Sequence, residues 1–386
     1  MRADTFDEFR AVRYWPQLDG LRVVSIAIVL VAHSGDSWFP SFKGALGVIV
    51  FFVISGFLIT SLLLREESRR GRVSLSGFYV RRVFRIVPLY MVAIGCATVL
   101  VFAGLGGSRE KWLERLPYLL TFNGDFAVWG VFVHAWSIGV EEKFYILWPL
   151  IAFALLPLAT KRIWIALGLL LVCVVSAFIP SLTYFGTYSA ILMGCTLAIL
   201  MHDPRAYAFI RHLAKPLPAT LLTLFAAAMF AVDWYMPWTE PTGFAHPLFA
   251  LAVTAAFPGI VVGQTWIKRI LSNRVLAFVG TRTYGIYLFH VFAIDALNRI
   301  FPDGQTHPLV GIARLLLAAA LSYAIAEVLY RVVEHPMIKV GRRLTGSKLP
   351  ERQVPADAAS PAGGSPTPAT SEPDPTDDHA TTGATR

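Results

Sequence analysis

Apolar residues fall in long runs along most of the chain, and a run of about 18 or more residues is enough to cross a bilayer as a helix. Ten such runs stand out, roughly at 19–39, 44–64, 86–106, 139–158, 163–180, 183–201, 216–236, 246–264, 276–300 and 309–333. They predict an all-α integral-membrane protein, a bundle of about ten transmembrane helices. The polar connections set its orientation. With a cytoplasmic N-terminus, Arg65, Arg69, Arg70, Arg72, Arg81, Arg82, Arg85, Lys161 and Arg162 share one side. Arg205, Arg211, Lys215, Lys268, Arg269, Arg274, Lys339, Arg342 and Arg343 join them there. The opposite side holds Lys43, Arg109, Lys111 and Arg115. Cytoplasmic connections are the basic ones, so the N- and C-termini are both expected in the cytoplasm. The pattern ends near residue 345. From 346 to 386 the chain is mostly Pro, Ala, Thr, Ser, Gly and Asp with no aromatic residue, which predicts a disordered cytoplasmic tail after a membrane domain at 1–345.

Composition agrees with a membrane protein. Hydrophobic residues are 55% of the chain, charged residues 15%, and mean hydropathy is +0.58, whereas soluble domains carry about 25% charged residues. The net charge of +9 follows from the topology and from contact with anionic headgroups, and gives no reason to expect nucleic acid. Cys96, Cys173 and Cys195 sit inside apolar runs without metal-ligand spacing, as packing residues. The first run is too long for a cleavable signal peptide and lacks a small-residue cleavage site. Retention in the cell membrane, with several passes, is the expected localisation.

Polar groups inside the runs carry the candidate chemistry. Arg22 and His33 interrupt the first one, and eleven helical steps leave them within about 20° of one azimuth and about 16 Å apart along the axis. Charged or titratable groups at such depth face a protein interior or a wet cavity, so the pair is expected to line one continuous cavity. Arg82 and Arg85 are three residues apart just before the third run, on one helix face.

Several stretches resemble the acyltransferase 3 family of bacterial integral-membrane O-acyltransferases. Leu18-Asp19-Gly20-Leu21-Arg22 followed by His33 is similar to its Arg/His signature. Gly47-Val48 and Phe51 to Thr60, FFVISGFLIT, resemble its second helix. Phe78 to Tyr90, FYVRRVFRIVPLY, looks like its R-x-x-R segment, and His134 to Tyr145, HAWSIGVEEKFY, its H-x-W-S block. Tyr284 to His290, YGIYLFH, and Glu334-His335-Pro336 match two late motifs. The similarity runs from about residue 14 to 340 in family order. One departure is Ile49, where an Asp is common in the family. Some family members carry an additional extracytoplasmic hydrolase-like domain, for which this chain leaves no room.

The resemblance implies transfer of an acyl group, usually acetyl, from acyl-CoA (the donor substrate, with no permanently bound cofactor and no metal) to a hydroxyl of a carbohydrate or glycolipid acceptor. His33 is then the catalytic residue, either as general base toward the acceptor hydroxyl or as transient acyl carrier. Arg22, which can pair with Asp19, supports substrate charge or the thioester oxyanion. The guanidinium forks of Arg82 and Arg85 suit the phosphates of coenzyme A, and Ser55 is grouped with them on the donor side. Glu141, with Glu142 beside it, orients His33 or binds acceptor hydroxyls. His134, Trp136 and Ser137 suit a sugar ring, while Tyr287, His290 and Glu334 are inward polar positions without an assigned role. Two alternatives stay open: acylation of a secondary-metabolite sugar, and a non-enzymatic transporter or flippase in which Arg22, His33 and Glu141 gate a polar path.

Overall fold

The computed structural model describes residues 5–12, 14–34, 44–127, 130–154, 161–235, 245–301 and 308–346. The tail expected at 346–386 lies outside the described residues, apart from Gly346. Among the described residues every regular element is helical and none is a strand. The chain begins with α1 (Phe6–Ala11), α2 (Pro16–His33), α3 (Gly44–Arg70), α4 (Leu75–Phe102) and α5 (Arg109–Leu120). It continues with α6 (Trp136–Pro149), α7 (Arg162–Ser176), α8 (Thr183–Gly186), α9 (Tyr188–Met201) and α10 (Pro204–Ile210). Then come α11 (Pro216–Tyr235), α12 (Ala245–Val261), α13 (Trp266–Leu271) and α14 (Arg274–Gly280). Last are α15 (Thr283–Ile300), α16 (Pro308–Leu329) and α17 (His335–Leu344).

Helix lies within each of the ten apolar runs. Among the described residues five helical stretches are long and apolar enough on their own to cross a membrane: Pro16–His33, Gly44–Arg70, Leu75–Phe102, Thr183–Met201 and Leu309–Leu344. The outward surface fits a hydrocarbon solvent. Leu171, Val172 and Leu316 are each about two-thirds exposed, on helices apolar all round, as membrane spans are.

Three features depart from the expected runs. The run at 276–300 is broken, because α14 and α15 meet at a 72° bend. At the break Thr283 Oγ1 donates to Gly280 O at 2.8 Å, and Gly280 packs so closely on α2 that a Cβ there would lie 2.2 Å from Asp19 O. The α4 helix starts eleven residues before the expected 86, since Ser74 caps it by accepting from Gly77 N at 3.2 Å. Arg82 and Arg85 therefore sit inside a helix, two to three turns from its start, instead of just ahead of one. Finally, α6 widens into a π-helical turn at Leu150–Ala154 directly after Pro149, where the proline lacks the N–H that an α-helix would use.

One of the closest helix contacts joins α3 and α9. A Cβ on Gly56 would lie 2.0 Å from Ile191 O, and one on Gly194 2.2 Å from Val53 O. Small residues bring these backbones together, as in other membrane helix pairs. Gly56→Ala is expected to destabilise the bundle by at least the about 1–3 kcal/mol of core overpacking. Gly95→Ala, whose Cβ meets nothing within 4 Å, leaves the midpoint unchanged. Thermal melts of the two variants in detergent check the contrast.

Candidate functional site

One cavity gathers most of the polar residues singled out above. It encloses about 890 Å³ of non-atom space, part of it open at the mouth, between α2, α3, α4, α6 and α15. Arg22, Ser55, Arg82, Arg85 and Glu141 all line it. Their convergence follows from helix periodicity: they face inward from four helices, Arg82 and Arg85 together from α4, and apolar neighbours such as Phe52, Ile86 and Ile138 seal the packing.

The cationic wall is ordered by neighbours. Arg22 Nη1 donates to Asp19 Oδ1 at 2.6 Å, and Tyr14 OH donates to Asp19 Oδ2 at 2.6 Å. Arg82 stacks over the Tyr145 ring, 3.6 Å from its centroid, and its Nε is buried without a hydrogen-bond partner. Arg85 keeps an exposed side chain on the cavity wall, within electrostatic reach of the buried Glu334. Beside Arg82 runs a hydrogen-bonded chain: Tyr145 OH donates to Ser55 Oγ at 3.1 Å, and Ser55 Oγ donates to Glu141 Oε1 at 2.7 Å. Glu142 also lines the cavity, and its Oε1 is buried without a partner. Three guanidinium groups and the carboxyl groups of Glu141 and Glu142 share one partly enclosed space.

His33 does not line this cavity, contrary to the expectation that it shares one with Arg22. Two side chains of α15 stand between them. Tyr287 lines the cavity, its ring lies 5.7 Å from that of His290, and His290 meets His33 edge to face at 4.9 Å. His33 closes α2, and its Nδ1 lies 2.9 Å from Val29 O. A carbonyl only accepts, so Nδ1 carries the proton of the neutral ring and Nε2 holds the lone pair. The next residue is anchored from another helix: Arg314 of α16, 3% exposed, donates to Ser34 O at 3.2 Å. Glu141, expected to orient His33 or bind the acceptor, accepts from Ser55 on the cavity wall. Nor does His134 sit outside the bundle as expected for a sugar-binding position: it is 2% exposed, and Tyr287 OH donates to its carbonyl at 2.7 Å. Ser137 is 2.6 Å from the same phenol.

Tyr145 and Arg314 were not among the expected site residues. Tyr145 is four residues after Glu141, one helical turn on the same face, and Arg314 is a buried charge inside an apolar run, which marks function by default. Both signals were legible. Tyr145→Phe is expected to change acyl-CoA affinity less than about threefold, since the ring under Arg82 stays. Tyr145→Ala should lower it about tenfold, the scale of a desolvated cation–π contact. Equilibrium binding in detergent measures both.

Comparisons with known proteins identify the family. The acyltransferase 3 family profile, described as an acyltransferase domain, matches residues 15–331. O-acetyltransferase OatA of Staphylococcus aureus strain NCTC 8325 is 31% identical over 361 residues, covering 85% of this chain and 58% of that protein. A provisionally named O-acetyltransferase of strain MSSA476, SAS0844, is 30% identical over 372 residues, with 87% and 59% covered. The chain thus spans a little under three-fifths of the length of these relatives. No solved structure matches it.

Proposed function

The chain belongs to the acyltransferase 3 family, and on that premise we propose that it is a multi-pass O-acyltransferase of the cell membrane. It moves an acyl group, acetyl in our reading, from acyl-CoA to a hydroxyl of a carbohydrate-containing acceptor, a cell-surface glycan or glycolipid. The relatives' printed names support the acetyl assignment. Helix in all ten apolar runs supports a ten-span bundle, and the basic connections support cytoplasmic termini, which puts the donor on the cytoplasmic side.

The observation that carries the reading is the cavity that Arg22, Arg82 and Arg85 share with the Ser55–Glu141 pair, linked to His33 through the rings of Tyr287 and His290. Arg82 and Arg85 bind the donor's phosphates as charge-assisted, forked hydrogen bonds. The flexible pantetheine arm then runs past Ser137 and Tyr287 toward His33. There Nε2 takes the proton of the acceptor hydroxyl as its oxygen bonds the thioester carbon. When the C–S bond breaks, the thiolate recovers that proton from His33, giving an ester and free CoA. Purified protein in detergent, given acetyl-CoA and an envelope extract, is expected to release CoA thiol only when both are present. Release that ignores the extract, or none at all, overturns the proposal. Mass spectrometry of envelope glycans from a deletion strain then identifies the missing ester.

A further inference from the structure

Three imidazoles meet beyond the Tyr287 end of the cavity. His290 Nδ1 lies 2.6 Å from Tyr287 O and His134 Nε2 lies 3.3 Å from Leu288 O, in the manner of His33 Nδ1 and Val29 O. Each ring thus offers its proton-bearing nitrogen to a main-chain carbonyl and keeps a lone pair on the other. The rings of His33 and His290 are 4.9 Å apart, those of His290 and His134 5.0 Å, both edge to face. His290 is wholly buried, and neither its Nε2 nor His134 Nδ1 has a hydrogen-bond partner.

A buried, unpartnered lone pair is costly and calls for a reason. The three rings do not form a metal-holding group among the described residues. The other groups around them are the Phe132 ring of the segment before α6, the phenol of Tyr287, and Arg115 of α5, which reaches His134 electrostatically. Gly44 of α3 lies against the His33 ring. Among these groups Arg115 brings a guanidinium, Arg314 brings a second to the carbonyl of Ser34 beside His33, and none is a carboxylate.

We propose that His290 is a positioning residue for His33. Its edge-to-face contact holds the His33 ring in the rotation that presents Nε2, and its bare Nε2 stabilises the imidazolium formed during transfer. The proton passes from acceptor oxygen to His33 and on to the thiolate, so His290 gains and loses nothing over a cycle. This inference rests on His33 being the base in the proposed reaction.

The test uses the purified full chain, acetyl-CoA and the envelope extract. His290→Ala is expected to lower kcat about 10–100-fold, the lower range of acid–base contributions, while KM for acetyl-CoA stays within about twofold of wild type, as for an interaction made in the transition state. Added imidazole restores most of the rate, whereas pyrrole, similar in size but without a lone-pair nitrogen, does not. The rescue rises with the neutral fraction of imidazole between about pH 6 and 8. His290→Phe, which fills the space without a lone pair, remains slow and guards against a packing artefact in the alanine variant. A His290→Phe enzyme at wild-type rate, or rescue by pyrrole equal to that by imidazole, overturns the inference. His33→Ala assayed in parallel separates two failures. If that variant is active, the base itself is misassigned; if it is inactive while His290→Phe is fully active, only the role of His290 falls.

Discussion

Replacing His33 with alanine should leave a folded, membrane-inserted protein whose acyl transfer falls about 10²–10⁴-fold, the usual contribution of a general base. The structure explains why folding survives. His33 is the last residue of α2 and only partly buried, and among the described residues its side chain hydrogen-bonds Val29 in its own helix. Among the described residues its removal opens no large core cavity and strands no ion pair. Chemistry loses the nitrogen that receives the hydroxyl proton, and no other lone-pair group in the cluster is placed to replace it, since His290 and His134 are fully enclosed. Detergent size-exclusion profiles and thermal midpoints establish folding, and initial rates of thiol release give kcat. Near-normal turnover in a well-folded variant removes His33 from the reaction.

The paired change Arg82→Ala with Arg85→Ala is expected to weaken acyl-CoA binding by about 10²-fold or more, because charge-assisted hydrogen bonds are worth about 1.5–3 kcal/mol each. Both side chains line the one cavity, Arg82 stacked on Tyr145 and Arg85 open to the lumen. Neither forms an ion pair shorter than 4 Å among the described residues, so each guanidinium remains available to a ligand. The corresponding lysine pair keeps the charge and loses the planar fork, and should recover only part of the affinity. Equilibrium titration of the three proteins with acetyl-CoA decides the matter. Equal affinity in all three makes these arginines topology anchors and moves the donor site elsewhere.

Much of this molecule follows from the order of its residues. Long apolar runs dictate membrane helices because backbone groups in hydrocarbon must bond within their own segment. Arg22, His33, Arg82, Arg85 and Glu141 stood out because charge at membrane depth is expensive, and helical periodicity placed each on an inward face. Tertiary structure decided which of those faces meet. Gly56 and Gly194 let α3 and α9 close to backbone contact, which no propensity announces. Ser74 starts α4 early and carries Arg82 and Arg85 into the bundle. Gly280 against α2, with Thr283 bonded to its carbonyl, bends the late span. The same packing puts Tyr287 and His290, more than 250 residues from His33, between that residue and the cavity it was expected to line. Periodicity is a local property of one helix, whereas a wall built from rings on α2, α6 and α15 depends on the relative rotation and depth of three, and those are set by contacts far apart in sequence.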